Sequence, residues 1–402
     1  MSRSAGLLIA ACMAIGACDT DPVVMGPDDD PFDGDPIAIP VLGRGLVQER
    51  VTAEVAVDGT WAYTTTWGQL QAVGNALKVW DVSGPIPQLV DSAIVDGAIT
   101  LGDVQISDDG ALLVVATEID NGSIVVFDRS DPAHPVMLSR HMTDATRSRG
   151  VHTVKLGRVD GRLYGFLAVN TGGTGRGQLV VVDLSDPANP DEVLVLPLGG
   201  PNLHDVFVRD GYLFTAEWDD GISIWDIGGG GRGGSPTDPV RIGGVETLGG
   251  NAHNIWWYHA PGGEQRYVFV GEEAGGAIGA QSSGDIHVVD ISDMANPREV
   301  AFYTIPAAGA HNFTMDEENG ILYAAYYNGG VRAIDVRGDL GSCSDSEREA
   351  ATDRCELRLM GREVGVALEG DSYVWGVARS GDFLYASDMN SGLYKLDISP
   401  LR

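Results

Sequence analysis

Basic residues are scarce in this chain: 26 Lys and Arg stand against 57 Asp and Glu, a formal net charge of −31. A phosphate backbone needs Lys and Arg to displace its counterions, so this balance excludes a nucleic-acid binder. The same balance disfavours electrostatic adsorption to anionic lipid. Cysteine is nearly absent, with four in 402 residues, and no Cys-x-x-Cys pair occurs. Cysteine-rich zinc sites are thereby excluded. Serine-hydrolase and phosphate-loop signatures are missing as well. Gly172-Gly-Thr-Gly-Arg-Gly177 only imitates a nucleotide loop, because it joins strands and opens no helix.

The amino terminus has a different character from the rest. Arg3 supplies a positive start, and Gly6 to Ile15 is apolar but too short to span a bilayer. This reads as a secretory signal over residues 1–18. Ile15-Gly-Ala-Cys18 resembles a bacterial lipobox, which implies lipidation at Cys18; Ile9-Ala-Ala-Cys12 fits the pattern but leaves too little apolar chain before it. Residues 19–40, rich in Asp, Pro and Gly as far as Pro36, read as a disordered acidic tether.

What fills the remainder is a repeat. Gln178-Leu-Val-Val-Val-Asp183 is a continuous apolar run with β-branched residues, followed by Ser185, Asp186, Pro187 and Pro190. It predicts a strand buried on both faces, a tight turn, and an edge strand opened by a residue without an N–H. The unit recurs at strand ends Asp81, Asp128, Asp183, Asp226, Asp290, Asp335 and Asp397. The mean spacing is about 53 residues, that of a propeller array. Asp-Gly or related pairs at 58–59, 109–110, 160–161, 210–211, 319–320 and 380–381 predict hairpins between the first two strands of each repeat.

The expected fold is therefore all-β: a seven-bladed β-propeller of four-stranded antiparallel blades over residues 41–402. The last repeat stops after its third strand, and Val41–Val47 is a strand with no repeat of its own, so it is expected to close the ring. A ring of six or eight blades would require Val41–Val47 to pair elsewhere. Three insertions interrupt the pattern: Gly228 to Pro236, expected to be a mobile loop, Glu272 to Gly284, and Gly341 to Cys355. Cys343 and Cys355 are expected to form a disulfide in an exported protein.

The wording of these units, clearest at Asp183–Pro190, resembles the LVIVD-repeat family, β-propellers of bacterial and archaeal surface proteins. Trp80-Asp81 and Trp225-Asp226 also imitate a WD40 blade ending, but the Gly-His pair of that family is missing. The resemblance implies an exported, lipid-anchored, monomeric protein at the cell envelope. It would sit at the outer membrane, the periplasmic side of the inner membrane, or the cell surface.

Histidines carry the candidate chemistry. Of eight, His152, His204, His253 and His311 share one phase, each just before an innermost strand. Equivalent positions on successive blades lie on an arc around the channel, so the four are expected to converge at one mouth. Glu118, Glu217, Glu272, Glu273 and Asp388 arrive at the same rim at the ends of second strands. Imidazole and carboxylate together suit a divalent metal or an acid/base pair. The set put forward is His152, His204, His253 and His311 with Glu217 or Glu272. Copper or zinc would suit the imidazoles, and calcium would suit an all-carboxylate rim. The alternative is that each ring packs between blades against backbone. Leu203-His-Asp-Val, Leu213 to Trp218 and Gly221 to Ile227 further resemble one blade of the selenium-binding-protein and methanethiol-oxidase group, whose axial histidines imply copper.

Two functions follow. One is a binding scaffold presenting loops to an envelope protein, a glycan or a small ligand. The other is a metal-dependent enzyme, oxidase-like or hydrolytic, with its site at the channel mouth.

Overall fold

A computed structural model describes residues 34–402, apart from 69–72, 120, 148, 171–175, 201, 275–276 and 371. The leader, Cys18 and most of the tether lie outside the described residues. Seven antiparallel sheets form the blades, spanning 51–94, 100–141, 153–197, 205–245, 252–303, 313–367 and 374–397. Blade 3 is typical. Its strands Thr153–Val159, Arg162–Val169, Gln178–Asp183 and Asp191–Pro197 pair in chain order from the axis outward. Its third strand is buried from Leu179 to Val182, because neighbouring blades cover both faces. One seam cluster, for example, joins Phe166 and Leu179 of blade 3 to Val206 and Leu213 of blade 4.

Blade 7 receives its outer strand from the other end of the chain. Val41–Leu46 pairs antiparallel with Gly392–Asp397, and the Val47 N–H donates to the Ser391 carbonyl. Gly45 is required there, since a Cβ would lie 2.4 Å from the Trp80 ring. The propeller also begins earlier than Val41, and the tether boundary at residue 40 is corrected accordingly. Ile37–Ala38 adds a parallel strand to Glu363–Ala367 of blade 6, and Ile39 is buried behind it. The apolar pair Ile37 and Ile39 has sheet edge available to it, which composition alone does not reveal.

The strand-ending aspartates are turn locks. Asp81, Asp128, Asp183, Asp226, Asp290, Asp335 and Asp397 each accept a hydrogen bond from the backbone N–H two residues on, at 2.7–3.0 Å. Asp226 goes further and organises the glycine-rich insertion, which is wrapped rather than free. The N–H groups of Gly228, Gly230, Arg232 and Gly234 all point at its carboxylate. Glycines let the backbone approach that closely. Cys343 and Cys355 form the expected disulfide, and Cys355–Glu356 adds a short parallel strand to Arg298–Tyr303 of blade 5.

Candidate metal centre at the channel mouth

Each of the four histidines stands where the chain turns into an inner strand. The backbone N–H groups of His152, His204 and His311 donate to the carbonyls of Ala168, Ala216 and Ala325 at 2.8–2.9 Å. Those alanines hold one phase at the end of each blade's second strand, so repetition of the backbone places the imidazoles in register. The rings form a continuous arc, with centroids 3.9 Å apart for His152 and His204, 4.1 Å for His204 and His253, and 4.2 Å for His253 and His311. Trp218 stacks on His204 at 5.0 Å, and Trp375 lies 4.3 Å from His311. The rings face one another around the axis. They are not dispersed between blades.

The outer members are oriented by their Nδ1 atoms. His311 Nδ1 donates to the Trp375 carbonyl at 2.6 Å, and His152 Nδ1 lies 3.2 Å from the Glu118 carboxylate. For His311, an Nδ1–H held this way leaves Nε2 with its lone pair free, as metal-ligating histidines require, whereas His152 would offer a lone pair only after giving up its second proton. Gly102 makes room for Glu118, since a Cβ there would meet its Oε1 at 2.2 Å. In the middle of the arc, Nδ1 of His204 and of His253 is buried without a hydrogen-bond partner among the described residues. Orphaned polar atoms of this kind are costly unless something binds them.

The carboxylate inside the arc is Glu273. Its Oε2 lies 3.5 Å from His253 Nε2 and 3.7 Å from His204 Nε2, and its Oε1 lies 4.0 Å from His311 Nε2. The Tyr327 hydroxyl donates to the same Oε1 at 2.5 Å. Separations of 3.5–4.0 Å are long for hydrogen bonds. They approach the roughly 3.3–3.5 Å between two donors that each sit about 2.0–2.1 Å from one tetrahedral ion. Two triads bring all their ligand atoms within 4.8 Å of one another: His152, His204 and His253, and His253, Glu273 and His311.

Burial and mutual repulsion set the protonation. His253 is driven down to about 3, and His204 and His311 well below the ordinary imidazole range, first by desolvation and then by neighbouring imidazoles. Burial also opposes charge on His152, but Glu118 outweighs it and lifts His152 to about 9. At neutral pH the arc thus carries one positive charge, on His152. The other three rings are neutral and able to donate lone pairs.

The structure places Glu217 and Glu272 outside this arc. Glu217 accepts from the Thr215 hydroxyl at 2.6 Å. Glu272 accepts from the Asp285 N–H and lies 3.6 Å from His287, a buried ring that also meets Glu299. Asp388 is engaged by the Tyr373 N–H. Glu272 and Asp388 end second strands and Glu217 directly follows one, whereas in blades 4, 5 and 6 the next position of the repeat faces the axis. Trp218, Glu273 and Tyr327 are that next residue in blades 4, 5 and 6. Trp218 and Tyr327 have positive φ, 58° and 44°, which swings the side chain inward. The signal was therefore present one or two residues beyond the strand ends.

A second polar layer lies one residue deeper, at Glu54, Asp103, Thr153, Asp205, Asn254 and Asn312, around a cavity of about 290 Å³. Its members link blades. Asp103 accepts from the Val154 N–H of blade 3 at 2.9 Å, and Asn312 of blade 6 reaches Glu54 of blade 1 across Gly376 of blade 7. Desolvation, with added repulsion from Asp103, raises Glu54 to about 8. The unfolded chain loses that proton near the ordinary value of 4.5, so the stability conferred by the layer is full below about pH 4.5. It falls as pH rises toward 8. Glu54→Gln should flatten this fall and raise stability above pH 8 by on the order of 3 kcal/mol. Urea melts of parent and variant at pH 5 and pH 8.5 measure it; parallel profiles would show that Glu54 ionises freely.

Seven closed four-stranded blades with a polar axial channel define a β-propeller whose distinguishing feature is a histidine-lined mouth. LVIVD repeats are found along the chain: the LVIVD repeat family matches residues 112–143, 173–196, 202–247, 280–305 and 371–401. Among solved structures, Sqt1 of Saccharomyces cerevisiae is similar, with a TM-score of 0.54 and 12% identity over 91% of this chain and 87% of that one. At that identity the likeness shows the fold alone. No curated protein matches the chain by sequence.

Proposed function

We propose that this propeller is a binding protein whose channel mouth holds a first-row transition ion, displayed at the cell envelope through lipid on Cys18. The observation that carries the metal is the arc itself. Four imidazoles form a continuous arc and three of them lie within 4.0 Å of one carboxylate, with Nδ1 fixed at both ends and, among the described residues, orphaned in the middle. A donor set dominated by neutral imidazole suits copper or zinc, whereas calcium prefers an all-oxygen shell. Three histidines from one triad would leave a coordination position for an outside ligand, which is where an oxidase-like or hydrolytic activity would begin. Elemental analysis of the purified protein, followed by titration of the metal-free form with copper(II) and zinc(II), tests the reading. A stoichiometric ion is expected; no binding below millimolar metal would return the histidines to a packing role.

Anchoring rests on the lipobox-like Ile15-Gly-Ala-Cys18. Cells supplied with labelled fatty acid should label the parent protein and not Cys18→Ala. Equal labelling of the two, or of neither, removes Cys18 as the anchor.

A further inference from the structure

The outer strands of the blades differ sharply around the ring. The register allows one height to be compared on every blade: the residue paired with the one preceding each strand-ending aspartate. That residue is Val41 on blade 7, Leu89 on blade 1 and Met137 on blade 2. On blades 3, 4, 5 and 6 it is Glu192, Arg241, Glu299 and Glu363. Three adjoining blades are apolar where the other four are charged. The neighbouring residues Leu42, Val90 and Val136 extend the apolar stretch on the same three blades. None of these is a core residue: Val41 is 47% exposed, Leu89 43%, Met137 52% and Val136 63%. Blades 1 and 2 are joined at its border, for His134, two residues before Val136, lies 2.9 Å from Asp91, the residue after Val90.

Contiguous exposed apolar surface on one side of an otherwise acidic molecule marks an interaction face. Its position identifies the occupant. The chain enters the propeller through Ile37–Ala38 on blade 6 and continues as Val41–Leu46 on blade 7, at the border of the apolar arc. From Cys18 to Gly34 an extended chain reaches at most roughly 55 Å, and a flexible one averages about 20–25 Å. A lipid on Cys18 would thus hold this same side of the disc beside the bilayer. We infer that the arc formed by the outer strands of blades 7, 1 and 2 rests on the lipid surface, its apolar side chains entering the interfacial region of uncharged headgroups. This inference takes its orientation from the anchoring reading, but the contact it describes can be tested without the anchor. The charge of −31 makes uncharged lipid the suitable partner, because an anionic surface would repel the molecule.

The test uses mature chain 18–402 with Cys18→Ala, made without its leader so that neither lipid nor signal contributes. It should float with phosphatidylcholine vesicles. Val41→Ser, Leu89→Ser and Met137→Ser together should weaken partitioning on the order of 10–100-fold at unchanged melting temperature. Glu192→Ser with Arg241→Ser, at the same height on blades 3 and 4, should leave it unaltered. Absence of flotation overturns the inference, and so does flotation indifferent to the triple substitution. Dimerisation in solution that the triple substitution abolishes, without vesicle binding, would overturn the inference and reassign the apolar arc to a second copy of the chain. Fatty-acid labelling reports on Cys18 separately, so failure of the anchor and failure of the contact are distinguishable.

Discussion

His204→Ala with His253→Ala is expected to abolish metal binding while leaving the propeller folded. These two rings occupy the middle of the arc, where both Nδ1 atoms lack partners among the described residues and both Nε2 atoms face Glu273. Every triad of the cluster contains His253, so no complete set survives. Loss of even a hydrogen bond behind a ligand typically weakens metal sites 10–100-fold; removal of two ligands should cost at least roughly 1,000-fold. The structural penalty is smaller. Truncating two buried rings leaves space, costing about 2–4 kcal/mol, but it also removes polar atoms that burial leaves unsatisfied. Calorimetric titration with copper(II) and zinc(II), alongside near-ultraviolet circular dichroism, separates the two effects. Retained affinity in a folded double variant would place any bound ion elsewhere.

A second large effect is expected from the closing strand. Truncation through Asp33 leaves every strand described above intact, so its melting temperature should match that of the full chain. Truncation through Val47 removes the antiparallel ladder on Gly392–Asp397, the parallel bridge on Glu363–Ala367, and the buried side chains of Ile39 and Val47. It also uncovers Trp80 and leaves an open sheet edge beside it. Loss of two buried aliphatic side chains and a strand's hydrogen bonds should cost roughly 5 kcal/mol or more. The exposed edge should also promote association. Equal melting temperatures for the two truncations would show that the ring closes without this strand.

Much of the architecture is legible in the chain because its determinants are local and repeated. A buried third strand favours a largely apolar run, and its turn needs an acceptor two residues before an N–H. Gln178 to Ser185 carries both signals; all six counterparts keep the acceptor, while Lys78, Ser223, His287, Arg332 and Lys395 interrupt the run in five of them. The phase of His152, His204, His253 and His311 is legible for the same reason: copying a blade copies its backbone hydrogen bonds, and those place the rings. The glycine-rich insertion was misleading, because composition predicts freedom while Asp226 gathers four N–H groups in space.

The identity of the carboxylate at the histidines was decided only in three dimensions. Glu272 and Glu273 are adjacent, and strand phase favours Glu272. The turn after that strand delivers Glu273 to the axis, leaving Glu272 against His287 of its own blade. Likewise Glu118 reaches His152 because Gly102, on a neighbouring strand, has no side chain in the way. Sequence by itself determined how many blades there are, where each begins, and which histidines share a height. Tertiary structure decided which side chains meet across the channel, since that depends on single backbone angles and on the empty space left by residues far away in the chain.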